Sequence, residues 1–105
     1  MLSNIKYFKS NLFLQDAKEN ARRNGYDPSK LELSDDNIHK LIYHSPEGLK
    51  RFGRLNYGDY LYYKRFNPQI AEQKRHVFRS SHGAMSKIYN LNKYSPNELS
   101  INILW

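Results

Sequence analysis

The chain has 105 residues, nine of them Tyr and none of them Cys, and its net charge is +7. That length is one domain. The lack of Cys excludes a disulfide framework and any thiolate metal site, and no run of about 18 apolar residues is present to form a membrane span.

The charge is unevenly placed. Residues 1–47 hold seven Lys/Arg and seven Asp/Glu, whereas residues 48–105 hold ten Lys/Arg and three Asp/Glu. The second half therefore carries any anion-seeking surface. Hydrophobic residues make up 39% of the chain, but nine of them are Tyr, so rings must supply much of the packing. Tyr suits half-buried sites and interfaces, because its body is apolar and its hydroxyl needs a partner. Lys6 and Lys9 interrupt the N-terminus and NLFL (Asn11–Leu14) is too short for the apolar core of a signal peptide, so the protein is expected to work where it is made.

In chain order, the first 25 residues read as an N-terminal helical segment starting near residue 4 or 10, with Ser3 a candidate cap. Ile5, Phe8 and Leu12, then Leu14, Ala17 and Ala21, recur at helical spacing. DAKENARRNG (Asp16–Gly25) puts acids first, Arg22 and Arg23 in the last turn and Gly25 after it, as the helix dipole favours. Residues 26–66 form the hairpin and Tyr-rich region. Leu31–Leu33 is a short extended piece, and Asp35, Asp36 and Asn37 form a turn cluster. Ile38–His44 and Leu49–Leu55 are partner strands around the turn Ser45–Gly48, with Gly53 marking a bulge or a close backbone approach.

Arg51–Phe66, RFGRLNYGDYLYYKRF, holds four Tyr, two Phe, three Arg and one Lys against a single Asp. As a strand, Tyr60–Phe66 presents rings on both faces. As a short helix capped by Asp59, it places Tyr62 and Tyr63 away from Tyr57, Tyr60, Leu61 and Lys64. Either form asks for cover on two sides. Residues 67–105 then supply a basic helix and an apolar C-terminal helix. The basic helix runs from Asn67 through Pro68 to a stop at Gly83, with Ile70, Val77 and Phe78 on one stripe and Arg75, Arg79 and His82 on another. Ser95 and Glu98 form a capping box with Pro96 between them, and Ile101, Ile103, Leu104 and Trp105 form an apolar end that must dock.

No constellation supports catalysis or metal binding. His39, His44, His76 and His82 lack the spacing of a zinc-protease pair, and a zinc site without Cys needs an all-His/carboxylate set. Asp35 and Asp36 are explained by turn chemistry. Ser80, Ser81 and His82 hold the atoms of a nucleophile and base, but adjacent residues do not build that geometry unaided. The five Gly are too scattered to cradle a phosphate. The expectation is a non-enzymatic protein with no cofactor and no metal.

Phe52–Gly53, YGDYLYYK (Tyr57–Lys64) and KRHVFRSSHGAM (Lys74–Met85) together resemble a family of short, basic proteins of nucleocytoplasmic large DNA viruses. The likeness spans about residues 40–85. Lys74, Arg75, Phe78, Arg79 and His82 match that family's basic helix, while Ser81 stands where its pattern has Arg. The resemblance implies a virion or virus-factory protein; the expected location is the virion capsid, and the host cytoplasm during assembly.

The expected fold is thus α+β: a single small domain, residues 1–105, with an N-terminal helix, an antiparallel β-hairpin with room for a third strand, and one or two C-terminal helices. The expected function is a minor capsid component bridging neighbouring subunits. Tyr57, Tyr60, Tyr62, Tyr63, Phe66 and Trp105 are its expected anchors. Lys50, Arg51, Arg54, Lys64, Arg65, Lys74, Arg75 and Arg79 form the expected basic surface, which pairs with acidic neighbours. The alternative is a nucleic-acid-binding protein that packages the viral genome, with Lys74, Arg75 and Arg79 on phosphates. The partners are other capsid or virion proteins, or nucleic acid, within a larger assembly.

Overall fold

A computed structural model of the chain describes residues 2–89 and 91–105. Two helices, α1 (Leu2–Phe8) and α2 (Asn11–Arg23), lead through a 3₁₀ turn (Pro28–Lys30) into the strands β1 (Leu31–Leu33), β2 (His39–Ser45) and β3 (Gly48–Arg54). Helices α3 (Tyr60–Phe66), α4 (Pro68–Tyr89) and α5 (Pro96–Leu99) follow, and a turn of π-helix (Ser100–Leu104) brings the chain to Trp105. The three strands form one antiparallel sheet in the order β1-β2-β3, so the architecture is α+β.

The N-terminal segment is two helices, not one. Ser10 breaks it: its hydroxyl caps α2 by accepting from Phe13 N at 3.2 Å and donates to the Tyr7 carbonyl at 2.6 Å. The restart resets the helical phase, so Phe13, Ala17 and Ala21, at i, i+4 spacing, become the buried face and Leu12 is left exposed. Ser3 lies in the first turn of α1, and its side chain is outside the described residues. At the other end of α2, Gly25 takes φ 84° just beyond the cap Asn24. There Tyr26 N reaches back to the Ala21 carbonyl at 2.9 Å, which satisfies an otherwise orphaned helix carbonyl.

The hairpin keeps its expected limits to within a residue. Leu41 pairs with Phe52 and Ser45 with Gly48, across a two-residue loop. Register is unbroken past Gly53, so that glycine marks a close approach and not a bulge: a Cβ there would lie 2.6 Å from Leu104 Cδ1, and its φ is 77°. The third strand is β1, which pairs Leu33 with Leu41 and Leu31 with Tyr43. Tyr60–Phe66 is a helix, because the Asp59 carboxylate accepts from Tyr62 N at 2.9 Å and so caps it.

The core lies between α2, the sheet and the apolar end of the chain. Phe8, Phe13, Leu41, Phe52, Leu99, Ile103 and Leu104 are almost wholly enclosed. Ser95 caps α5 by accepting from Glu98 N at 3.2 Å, and Asn20 ties the following turn to α2 by donating to the Ile103 carbonyl at 2.8 Å. The end of the chain therefore docks into this protein's own core. Tyr supplies packing as its abundance requires: Tyr7, Tyr26 and Tyr43 are buried.

Helix α4 differs from its expected form. It continues through Gly83 to Tyr89, because Ala84, Met85 and Lys87 are good helix formers and one interior Gly costs only about 1 kcal/mol. His82 is consequently a mid-helix residue and not a C-terminal one. Its ring stacks on Phe78 at 3.7 Å, and Phe78 stacks on Trp105 at 4.3 Å.

Candidate functional site

Helix α3 is held in place by a buried ion pair. Lys40 Nζ lies 3.0 Å from Asp59 Oδ2, and neither residue is more than 3% exposed. The ammonium also sits 4.0 Å from the centre of the Phe8 ring. Burial pushes the Asp59 carboxyl up and the Lys40 ammonium down in pKa, while their attraction opposes both shifts. One Asp59 oxygen holds Lys40 and the other caps α3, so this pair welds the hairpin to the Tyr-rich helix.

The rings of that helix are largely taken up by the chain itself. Tyr62 packs against Tyr7 and Phe8, with centroids 6.2 and 5.8 Å away. Tyr63 faces Trp105 at 6.3 Å. Tyr60 donates to Glu72 at 2.8 Å and lies under the Arg75 guanidinium at 4.6 Å. Helix α1 thus covers one side of α3, and α4 with Trp105 covers another. Trp105, expected at an interface, is only 8% exposed; of the six expected anchors, Tyr57 and Phe66 are the open ones, at 64% and 55%.

Many of the expected basic residues also find partners within the molecule. Arg65 binds Asp16 at 3.0 Å, Arg51 binds Asp35 at 2.8 Å, and Lys50 approaches Glu47 at 3.5 Å. Asp16 also accepts from the Tyr7 hydroxyl at 2.8 Å, and burial together with that carboxylate pushes the Tyr7 phenol well above its ordinary pKa. Arg75, half-buried, and Arg79, still exposed, donate through Nε to the Trp105 main-chain oxygen at 2.9 and 3.2 Å. Arg54, Lys64 and Lys74 are exposed and make no ion pair among the described residues.

What remains uncovered is the outer side of α4. Of its 22 residues, Ala71 is the one buried among those described. Ile70, Val77, Ala84 and Ile88 fall within a narrow arc, since positions seven apart differ by about 20° on a helix and four more residues return to the same side. Val77 is 61% exposed and Ile88 73%. Lys74 flanks this apolar arc on one side, just beyond Ser81; on the other side Gln73 and Ser80 come first, with Lys87 and His76 beyond them. The only acid of the helix, Glu72, points elsewhere, to Tyr60.

On the inner side of α4, Phe78, His82 and Met85 form one wall of a groove of about 630 Å³. Residues Arg51–Arg54 of β3 form the facing wall, and Leu104 and Trp105 contribute to the lining. Ser81 Oγ lies 3.2 Å from His82 Nδ1, but it also lies 3.2–3.3 Å from the carbonyls of Val77 and Phe78, the ordinary back-bonding of a helical serine.

Sequence reasoning missed both the Lys40–Asp59 weld and the groove. The first had a signal, a lone Lys inside the apolar strand IHKLIYH. The second had none, because its walls come from three distant segments. Comparison with protein-family models, curated protein sequences and solved structures finds no match to this chain.

Proposed function

We propose that this chain is a non-enzymatic structural protein of a larger assembly and that it holds a neighbouring protein through the outer face of α4. The observation that carries this reading is the helix itself: 22 residues with one described residue buried, and an apolar arc flanked by cations. Such an arc suits a helix-in-groove contact read at seven-residue spacing. Its cations call for an acidic rim on the partner, so the partner is an acidic protein. In the particle that the sequence resemblance implies, this is the role of a minor capsid or other virion component.

The second reading, nucleic-acid binding, rests on the charge excess of residues 48–105. It is weakened by Val77 and Ile88, which gain nothing from phosphate. The test compares an amphipathic peptide carrying a Leu stripe with Glu rims, an all-Glu peptide and a DNA duplex of about two turns. The Leu–Glu peptide is expected to bind best, and the double variant Val77→Ser/Ile88→Ser is expected to weaken it about tenfold. Tightest binding to the duplex, with a steep salt slope and no response to that double variant, sinks the protein-docking reading in favour of nucleic acid.

A further inference from the structure

The groove between β3 and the inner side of α4 has a chemistry that the outer face lacks. Its lining contains no Asp or Glu, although five of its residues are Lys, Arg or His. Three of those are already engaged: Lys40 with Asp59, Arg51 with Asp35, and His39 with Asp36. The other two are not. Arg54 is exposed and holds no carboxylate among the described residues. His82 bonds only through Nδ1 among the described contacts, which leaves Nε2 free. Between these two side chains the walls are apolar, formed by Phe52, Phe78, Met85, Leu104 and Trp105.

A groove of about 630 Å³ falls within the roughly 300–1,000 Å³ of small-molecule sites, which are mostly apolar with a few placed polar groups. Both sides of the site are packed against the C-terminal turn. Gly53 lies where a Cβ would meet Leu104 at 2.6 Å, so β3 and the C-terminal turn are in close contact there. On the other side the Trp105–Phe78–His82 stack fixes the α4 wall, with neighbouring rings 4.3 and 3.7 Å apart.

We propose that this groove binds a free, single-headed carboxylate with an apolar body. The head sits at Arg54, and the body lies against Phe78, Met85 and Trp105. Charge complementarity sets the sign of the head: no Asp or Glu lines the groove, and Arg54 is its one Arg or Lys without a carboxylate partner among the described residues. Neither Val77 nor Ile88 lines this groove, although Val77 lines a neighbouring cavity with Phe78, His82 and Trp105.

Trp105 is the only tryptophan of the chain, so its emission reports the site directly. The experiment titrates the full chain with decanoate below its micelle concentration, and in parallel with decyltrimethylammonium. Trp105 emission, amide chemical shifts and the melting temperature are followed. Decanoate is expected to give a saturable one-to-one change, to shift the amides of Phe52–Arg54 and Phe78–Met85, and to raise the melting temperature as a native-state ligand must. The ammonium amphiphile, which can contact the rings but gains nothing from Arg54, is expected to bind at least tenfold more weakly. Arg54→Ala weakens decanoate about tenfold, the loss expected for one charge-assisted hydrogen bond, while Val77→Ser/Ile88→Ser leaves it unchanged. Equal binding of the two amphiphiles, a non-saturable response, a lowered melting temperature or full affinity in Arg54→Ala each overturns the proposal.

Discussion

Helices α3 and α4 are joined by a single residue, Asn67, and both are rich in rings and cations. Their fates are opposite. Helix α3 is seven residues long and lies between α1 and α4, with its cap locked onto a buried lysine. Helix α4 has 22 residues, which at about 1.5 Å each extend roughly 33 Å. That equals the longest dimension of the molecule, 33 Å, and Ala71 is the one residue buried among those described on the helix. The contrast teaches that composition marks a segment as adhesive but length and neighbours decide what it adheres to. In this molecule the Tyr-rich helix is used up inside the fold, and the long helix keeps its outer face.

Substitutions can break that contrast. The largest effect is expected from Asp59→Ala, which strips α3 of its cap and leaves Lys40 buried without a partner. Removing one member of a buried pair costs about 3–5 kcal/mol, to be read from chemical denaturation. Next is Leu61→Ala, on the buried face of α3, at about 2–5 kcal/mol. A smaller and pH-dependent effect belongs to Asp36. Its carboxylate accepts from His39 Nδ1 at 2.9 Å and from the backbone of Ile38 and His39, and these bonds hold its pKa well below the usual range. The stability it contributes is therefore present above the unfolded pKa of about 3.9 and is lost as pH falls toward the lower folded value. Asp36→Asn should flatten the fall of melting temperature with acid below about pH 4; an unchanged acid profile would remove this account of the β1–β2 turn. The smallest effect is expected from Val77→Ala and Ile88→Ala, each within about 0.5 kcal/mol of the parent. A loss as large as that of Leu61→Ala would mean that α4 is packed and that the contrast is false.

Much of the fold was legible locally. Gly25 beyond α2 and the hairpin around Pro46 and Glu47 are signals within a few residues and took their expected form; of the Ser95–Glu98 capping box the Ser95 half forms, while Ser95 N bonds the Asn92 carbonyl and the Glu98 carboxylate accepts from Asn102. The break at Ser10 was not separable from the surrounding helical periodicity, since Leu12 and Phe13 differ only in which face the restarted helix buries. The choice between strand and helix for Tyr60–Phe66 hinged on Asp59, whose capping role depends on a lysine 19 residues away. The candidate site was legible only as raw material. Lys74 was expected on a basic surface and is open, but Arg75 and Arg79 proved to face the Trp105 oxygen. Which cations stay free depends on long-range pairing that no local pattern records.

The central claim is that docking is carried by α4 and not by the Tyr-rich segment. It is tested most directly by mapping the bound Leu–Glu peptide on the protein through amide chemical shifts. The account predicts changes confined to α4 between Ile70 and Ile88, with Tyr60–Tyr63 unmoved. Changes centred on Tyr57–Phe66, with the outer face of α4 silent, would contradict it.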